Sequence, residues 1–518
     1  MTPGPHPPRL GAASTPAGTL VHHRGGPETG IVHLGLGNFH RAHQAVYTAQ
    51  ALAHTDGPWG ILGVASRSPA VADALRAQDL RYSVLEVSPE GTRASVPAVH
   101  TGVLVAAQEP GAVLDALAAP ATAIVTLTVT EHGYTFAPGS GGLDLANPLV
   151  RADLAGTAPP RTTIGLLARG LLRRARTHGR PVTVLSCDNL VQNGATTRRL
   201  LREFAAELPA AEGAELLAYL DTAAFPNSMV DRIVPATTDA YRATAARLLG
   251  ARDEVPVPAE PFTMWALEDR FAAGRPAWES AGAVFTDEVD AYELIKLRLL
   301  NGTHSLLAYL GALHGCATIP EAIARPEIAA AADRVLRTEY LPTVRVPGGM
   351  DIERYIAELS ARWSNFALGH KTSQVGSDGS VKLRQRVPEP ALAHLAAGRM
   401  PHHLALTLAA YLCCIAPPPG FDPGPAAAAM SDPARATLTP LAGGSARDFA
   451  AAVLRTGLLG AGLAEHTAFA DRVAELITVI TTHGPLTAAR ETAEAAEPDT
   501  RSPSEDPVPG TPSTTPAH

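Results

Sequence analysis

The segment IKLRLLNGTHS, residues 295–305, brings Lys296, Asn301 and His304 close together in a stretch that is otherwise typical of an apolar helix. Measured from the lysine at about 100° per residue, Glu293 lies at roughly 60°, His304 at roughly 80° and Asn301 at roughly 140°. These groups could form a catalytic set, in which the amine carries a proton and the amide donates hydrogen bonds. The alternative is a satisfied buried network without a catalytic role.

Gly302 lies inside the same predicted helix, where a glycine costs about 1 kcal/mol relative to alanine. That cost is explained if another group must approach the backbone closely. The group could be a ligand or a neighbouring helix.

The elements that must position these side chains follow from an alternation of short β-rich runs and helix-like stretches after residue 29, which is typical of parallel α/β folds. The predicted strands, each rich in apolar or β-branched residues, are 30–37, 59–66, 82–87, 123–130 and 181–187. Later in the chain the sequence is rich in Ala and Leu with helical periodicity. We therefore expect an α/β protein with a Rossmann-like doubly wound N-terminal domain and a mainly α-helical C-terminal domain.

The expected boundaries follow from composition. Residues 1–28, rich in Pro and Gly, are predicted to form a flexible N-terminal tail, and residues 491–518, rich in Pro, Ser and Thr, a disordered C-terminal tail. Between them we expect a dinucleotide-binding type of domain over 29–285 and a helical domain over 286–490.

The bulk composition excludes some classes of protein. The chain has 518 residues, 46% of them hydrophobic, so it can bury a large core and is not disordered as a whole. Its formal net charge of −8 and the absence of a basic cluster argue against a nucleic-acid partner.

The cysteines indicate a reducing compartment. Cys187, Cys316, Cys413 and Cys414 form no CxxC pair and have no metal-ligand spacing. The longest apolar run, residues 404–416, is too short to cross a bilayer, and the N-terminus lacks the apolar core of a secretory signal. We therefore expect a cytoplasmic protein with no membrane partner and no metal.

The stretch GLGNFH follows a predicted strand and opens a predicted helix, as a dinucleotide-binding turn does. Gly35 would allow the tight turn, and Gly37 would let the backbone approach a pyrophosphate. His40 occupies the third glycine position, so an ordinary strand-to-helix turn is the alternative. Ser66 and Arg67 stand where a ribose-binding acid is usual, which leaves NAD and NADP both open. The candidate cofactor-binding residues are Gly35, Gly37, Asn38, Phe39, His40, Ser66 and Arg67.

Two more polar clusters end predicted strands, TVTEHGY at 128–134 and SCDNLVQNG at 186–194. Ligands of open α/β sheets bind outside the carboxyl ends of the strands, so three such clusters predict one site. The alternative is that the Asp and Asn side chains only cap the helices that follow.

These motifs, together with FPNSMVDRIVP at 225–235, KLRLLNGTHSLLAYLG at 296–311 and DGSVKLRQR at 378–386, resemble the long-chain mannitol dehydrogenase family. The family includes mannitol 2-dehydrogenase and fructuronate reductase, that is, D-mannonate oxidoreductase. The resemblance implies an NAD(P)-dependent, zinc-independent oxidoreductase that interconverts a secondary alcohol and a ketone, with NAD the expected cofactor, NADP not excluded and a monomer the expected state. GxGxFHRxH is the family's own form of the turn.

The resemblance also implies roles for the polar helix. Lys296 would be the general acid/base, which requires a pKa lowered from about 10.4 by burial or a neighbouring cation. Asn301 would donate to the reacting oxygen, and His304 would orient the substrate or the lysine. Asn189 is our choice for a second amide, with Asn193 as its rival.

Other polar residues of the motifs are candidates for proton relay or substrate binding. Glu131 and Glu293 could pass protons between the lysine and solvent, or Glu293 could form a plain salt bridge. We expect Asp231 to face the site and Arg232 to be structural. Lys382 could bind a substrate hydroxyl or carboxylate.

Three functions remain open at this point. The first is the polyol or sugar-acid dehydrogenase, acting on a small-molecule substrate. The second is a decarboxylating 3-hydroxyacid dehydrogenase, which also pairs a Rossmann domain with a helical domain bearing a lysine and an asparagine. The third is a dinucleotide-binding sensor without turnover.

Overall fold

The computed structural model describes residues 7–21, 28–137 and 141–495. The chain forms two compact units, of which the first spans Met1–Asn301, Ile319–Glu321 and Leu341–His370. The second spans Gly302–Thr318, Ala322–Tyr340 and Lys371–His518. Along the chain, the first change from one unit to the other falls between Asn301 and Gly302.

The first unit keeps Leu341–His370 because two side chains of that segment bind residues far away in the sequence. Arg362 forms salt bridges with Asp231 and Glu260. The Asn365 amide donates to the carbonyl of Val87 at 3.0 Å. Contacts between such distant segments leave no periodic pattern in the sequence, so no local motif predicts them.

The strands follow one another in chain order. They are β1 (Leu20–Val21), β2 (Thr29–Leu34), β3 (Gly60–Ala65), β4 (Val84–Ser88), β5 (Gly91–Pro97), β6 (His100–Val105), β7 (Ile124–Leu127), β8 (Thr183–Ser186), β9 (Ser228–Asp231), β10 (Val257–Ala259), β11 (Met264–Leu267) and β12 (Val284–Phe285).

The central sheet has five parallel strands in the order β6-β3-β2-β7-β8. β7 and β8 are buried at every position, as expected of parallel strands covered by helices on both faces. The order reverses beside β2, where the first strand-to-helix turn leaves the sheet. This arrangement confirms the predicted Rossmann-like domain.

Two smaller sheets belong to the same unit. One has the order β1-β5-β4-β10, and the other the order β12-β11-β9, in which β9 and β11 are antiparallel. The predicted strand at 82–87 belongs to the first of these sheets. The edge strand β6 of the central sheet is not among the predicted strands.

The helices begin between the strands of the first unit and then predominate. They are α1 (Asn38–Ala42), α2 (Gln44–His54), α3 (Ala70–Ala77), α4 (Pro110–Ala118), α5 (Thr130–Gly133), α6 (Pro148–Ala155), α7 (Thr163–Thr177), α8 (Asn193–Ala206), α9 (Ala210–Leu220), α10 (Asp239–Leu249), α11 (Val289–Ile295), α12 (Thr303–Leu313), α13 (Ile319–Ile323), α14 (Pro326–Arg334), α15 (Ile352–Trp363), α16 (Thr372–Gly376), α17 (Gly379–Arg386), α18 (Pro388–Ala396), α19 (His402–Ile415), α20 (Gly424–Ala428), α21 (Arg435–Leu438), α22 (Ala446–Arg455), α23 (Thr467–His483) and α24 (Pro485–Ala495).

The second unit is helical, as predicted for the C-terminal part of the chain. Its central helix α19 is apolar and buried along nearly its whole length. In the described part of the chain, no helix combines the length and the apolar composition that crossing a membrane requires.

Parts of both expected tails are ordered. Leu10 is 1% exposed, and its N–H donates to the carbonyl of Arg252 at 2.8 Å. β1 pairs with β5, and α24 continues to Ala495. The rest of both expected tails, residues 1–6, 22–27 and 496–518, lies outside the described residues.

Candidate active site

The polar segment that starts at Lys296 is a π-helix, Lys296–Gly302, between α11 and α12. In a π-helix the backbone bonds join residues five apart, so Lys296 and Asn301 lie one turn apart on the same side. Regular α-helical geometry, which the sequence analysis used, separates them by roughly 140°. Short π-helical segments occur frequently at functional sites.

The amine of Lys296 is held by two acceptors of the first unit. It donates to the carbonyl oxygen of Val230, in β9, at 2.5 Å and to Oδ1 of Asn189, just after β8, at 2.6 Å. Lys296 itself is half-buried. Asn189, Val230 and Lys296, which are far apart in the sequence, therefore meet near the carboxyl ends of β8 and β9.

The structure gives the two candidate asparagines different surroundings. Asn189 is exposed and contacts the lysine. Asn193 is fully buried, where Nδ2 donates to the carbonyls of Asp188 and Ser228 at 3.1 and 2.7 Å and Oδ1 accepts from the Ser228 N–H at 2.9 Å. The Asn193 side chain thus joins the start of α8 to β9.

Asp188 connects the two polar strand ends that the sequence analysis singled out. Its carboxylate accepts from the N–H groups of Val129 and Thr130 at 3.1 and 2.8 Å and from the Tyr134 hydroxyl at 2.8 Å. Burial raises the pKa of Asp188, and these donors oppose that effect. The ends of β7 and β8 therefore form one continuous edge.

Of the two candidate relay carboxylates, Glu293 is the one coupled to the lysine. Burial, opposed by the Gln192 N–H and by the charge of Lys296, raises its pKa to about 7. Oε2 accepts from Gln192 N–H at 3.4 Å, while buried Oε1 makes no hydrogen bond within the described residues. Glu131, in α5, is exposed.

Asp231 belongs to a buried cluster with two residues that the sequence analysis missed. Arg362 donates to both oxygens of Asp231 at 2.8 Å, and to Glu260 at 2.9 and 2.8 Å. Burial raises the pKa of Asp231, but the charge and hydrogen bonds of Arg362 outweigh it, so the net shift is downward. No local motif marks Arg362 or Glu260. Arg362 lies 102 positions from Glu260 and 131 positions from Asp231 in the sequence.

Arg232 points to backbone carbonyls and a surface acid. It donates to the carbonyls of Ala42 and Glu260 at 2.5 and 2.9 Å and to the carboxylate of Glu86 at 2.8 Å. It therefore connects the segment just after β9 to α1 and β4.

The glycine turn lies after β2, where the strand order reverses. Gly35 has φ +108°, and a Cβ there would overlap the carbonyl oxygen of Thr128, so only glycine fits. A Cβ on Gly37 would meet no atom closer than 3.8 Å. No described residue fills the space beside Gly37, which fits a bound pyrophosphate there.

The side chain of His40, a candidate cofactor-binding residue, is turned away from this space. It is fully buried, stacks on His33 with ring centroids 3.4 Å apart, and lies 3.2 Å from His100 between Nε2 atoms. Burial lowers the pKa of all three histidines, to about 3 for His33 and His100. His33 Nε2 lies 2.9 Å from the carbonyl of Gly35, so the histidines support the turn from inside.

The other candidate cofactor residues lie around the turn. The Asn38 amide donates to the carbonyl of Pro235 at 3.2 Å and to the Thr237 hydroxyl at 3.3 Å. Phe39 is half-buried, and Ser66 and Arg67 are exposed just after β3.

The remaining candidates belong to the second unit. His304 is half-buried in α12, and Lys382 in α17 donates to the carbonyls of Val375 and Ser377 at 3.2 and 2.7 Å. A Cβ on Gly302 would overlap the ring of Tyr340. For Gly302, the structure thus supports a neighbouring helical segment, not a ligand, as the reason for the glycine.

Among the described residues, no group of three or more His, Cys, Asp or Glu side chains is arranged to hold a metal ion. All four cysteines are buried free thiols.

A five-stranded parallel sheet in this order, with a glycine turn after its central strand, is the architecture of dinucleotide-binding proteins. The family model described as the mannitol dehydrogenase Rossmann domain matches residues 29–280, and the mannitol dehydrogenase C-terminal domain matches residues 288–480. The chain belongs to the mannitol dehydrogenase family and is an oxidoreductase.

Individual relatives agree with this assignment. The chain is 40% identical to D-mannonate oxidoreductase of Escherichia coli (strain K12) over 394 residues, 74% of this chain and 79% of that protein. It is 41% identical to mannitol 2-dehydrogenase of Cereibacter sphaeroides over 388 residues, 74% of this chain and 80% of the relative. The structure of Pseudomonas fluorescens mannitol 2-dehydrogenase in ternary complex with NAD and D-mannitol matches with a TM-score of 0.81 at 32% identity, covering 94% of this chain and 99% of the other.

Proposed function

We propose that the protein is an NAD(P)-dependent, zinc-independent dehydrogenase that interconverts a secondary alcohol and a ketone of a polyol or sugar acid. Mannitol and fructose, or mannonate and fructuronate, are the two substrate pairs that its relatives suggest. The observation that carries the proposal is the amine of Lys296, held between Val230 and Asn189. Membership of the family favours this function over a decarboxylating enzyme or a sensor.

Lys296 is the general acid/base of the proposal. In the oxidation direction, its neutral amine takes the proton of the substrate hydroxyl, and in the reduction direction its ammonium returns a proton to the carbonyl oxygen. A bound nicotinamide ring supplies the hydride acceptor or donor. Because the Val230 carbonyl and Oδ1 of Asn189 already hold the amine, its nitrogen is oriented before the substrate arrives.

The amides of Asn189 and Asn301 donate to the reacting oxygen in this proposal. Asn189 uses Oδ1 to hold the lysine, which leaves its NH₂ group for the substrate. Amides suit this role because they donate hydrogen bonds without titrating. His304 and Lys382 are proposed to bind the substrate. Asp231 is proposed to act on the site through its charge, which lies beside that of Lys296.

Glu293 is proposed to relay protons between Lys296 and solvent. A carboxyl with a pKa of about 7 exchanges protons readily at neutral pH. Glu131 is a less direct candidate because it is exposed at the end of β7.

For the cofactor, Gly35, Gly37, Asn38 and the backbone N–H groups at the start of α1 are proposed to hold the pyrophosphate. Phe39 would line the site, and His40 would contribute through its backbone only. Ser66 and Arg67 would contact the adenosine ribose, and NAD is the expected cofactor. We further propose a monomer in a reducing compartment such as the cytoplasm, in keeping with four free thiols.

A screen at the absorbance band of reduced nicotinamide tests the proposal. Mannitol, mannonate, arabinitol, sorbitol and altronate are each supplied with NAD or NADP, and fructose and fructuronate with the reduced cofactors. We expect turnover of at least one substrate pair, and its loss in Lys296→Met with cofactor affinity preserved. Unchanged turnover in that variant would exclude the lysine mechanism.

A further inference from the structure

The acid–arginine cluster, which we define as Asp231, Glu260 and Arg362, is closed off from solvent. Its members are 4%, 1% and 7% exposed. Arg362 makes two hydrogen bonds to each carboxylate, and the ring of Phe262 covers the guanidinium at 4.2 Å. One cation is therefore shared between two buried acids.

Such a cluster cannot keep both acids ionised without cost, because a buried charge needs its own partner. Burial raises the pKa of Asp231, but the charge and hydrogen bonds of Arg362, together with the charge of Lys296, hold it below the ordinary value. Burial first and the charge of Asp231 second, opposed by Arg362, raise the pKa of Glu260 to about 7. The net charge of the cluster is therefore near zero below neutral pH and near −1 above it.

The cluster is directly connected to the amine of Lys296. Val230, whose carbonyl oxygen accepts from that amine, precedes Asp231 in β9. The charges of Lys296 and Asp231 also interact, since the lysine helps to keep Asp231 ionised. By reciprocity, a negative cluster must favour the protonated amine.

We propose that Glu260 and Arg362 are positioning residues for Lys296: they hold Asp231 in place beside the lysine, and they set the net charge that its amine faces. The role of the lysine itself rests on the proposed function. With Glu260 protonated, the neutral cluster lets the amine lose its proton more easily. With Glu260 ionised, the added negative charge holds the proton on the amine.

Other titratable or charged groups also face the cluster or the lysine. They are His43, Tyr47, Arg232, Glu293, Tyr355 and His370. Burial lowers the pKa of His43 to about 3 and that of His370 to about 4, and it raises the pKa of both tyrosines, so these four stay neutral near pH 7. Of the groups named here, Glu293 is the one whose pKa is also raised to about 7.

The composition of the chain allows a direct test without turnover. The sequence contains three lysines, Lys296, Lys371 and Lys382, so an amine-reactive reagent labels few sites that peptide mass spectrometry can separate. The labelling rate of Lys296 is measured against pH in the protein without cofactor. Exposed Lys371 serves as the internal reference.

We expect Glu260→Gln to move the midpoint of Lys296 labelling to lower pH by about half a pH unit or more, since it removes the negative charge. Arg362→Gln should move it to higher pH, because a cation is lost, and Arg362→Lys should restore part of the difference. Glu86→Gln is the matched control, since it removes a carboxylate paired with the buried Arg232. Glu293→Gln measures the separate contribution of that carboxyl.

The inference is supported if the midpoint of Lys296 labelling moves to lower pH in Glu260→Gln and to higher pH in Arg362→Gln. Partial unfolding would not shift the two midpoints in opposite directions according to the sign of the deleted charge. A Glu260→Gln midpoint equal to that of the unmodified protein would overturn it. Activity against pH separates the two proposals. If Lys296→Met is inactive but Glu260→Gln changes neither the labelling profile nor the activity profile against pH, only this inference fails. If Lys296→Met still turns over substrate, the proposed function fails.

Discussion

Gly35 and Thr128 come so close at the carboxyl ends of β2 and β7 that a Cβ on Gly35 would overlap the Thr128 carbonyl oxygen. Gly37, two residues later, has open space beside it instead. The two glycines of one turn therefore meet different requirements. The fold requires Gly35, and Gly37 leaves space that the proposed cofactor would occupy.

Alanine substitutions separate these requirements. We expect Gly35→Ala to lower the free energy of unfolding by about 2 kcal/mol or more, because alanine is strained at φ +108° and meets Thr128. Gly37→Ala should unfold like the parent protein but bind reduced cofactor at least about tenfold more weakly. Urea unfolding and cofactor-fluorescence titration measure the two effects. Equal cofactor affinity in Gly37→Ala and the parent would argue against the site.

The two asparagines give a second matched pair. Asn193→Ala should cost about 2 kcal/mol or more of stability, because it leaves buried backbone groups of Ser228 and Asp188 without partners. Asn189→Ala should leave stability within about 0.5 kcal/mol, since the side chain is exposed, and lower kcat by about a hundredfold. Unfolding curves and steady-state rates distinguish them. The reverse pattern would show that Asn193 contacts the substrate.

If Glu293 relays protons between Lys296 and solvent, its removal should slow that proton transfer. Glu293→Gln should lower kcat by about 10- to 100-fold near pH 7, with recovery when small carboxylic-acid buffers are added. Asp290→Asn, one turn earlier on α11, is the control and should stay within about twofold. A loss of kcat in Glu131→Gln instead would move the relay to the end of β7.

The buried histidines should make the folded protein less stable in acid. Their pKa values are lowered from 6.5, to about 3 for His33 and His100, so the unfolded chain binds more protons and stability falls as the pH drops below 6.5. At pH 5 each such histidine should cost about 2 kcal/mol relative to pH 7. His100→Phe should therefore lose less stability than the parent between pH 7 and pH 5 in urea unfolding. An equal loss in both proteins would contradict the assignment.

The sequence alone was enough for the class of fold and the family, for a physical reason. Alternation of buried strands and helices, and a glycine turn between a strand and a helix, are local patterns that the backbone itself requires. The ordered motifs from GLGNFH to DGSVKLRQR then identified the family, which the family models confirm.

The tertiary structure decided which of the polar residues meet. It brought Asn189, and not Asn193, to the amine of Lys296, and it turned His40 inward onto His33. The π-helix depends on an extra residue within one turn, which regular helical periodicity does not reveal. Arg362 reaches Asp231 across 131 positions, and such a pairing has no local signature, because only packing of the folded chain determines it.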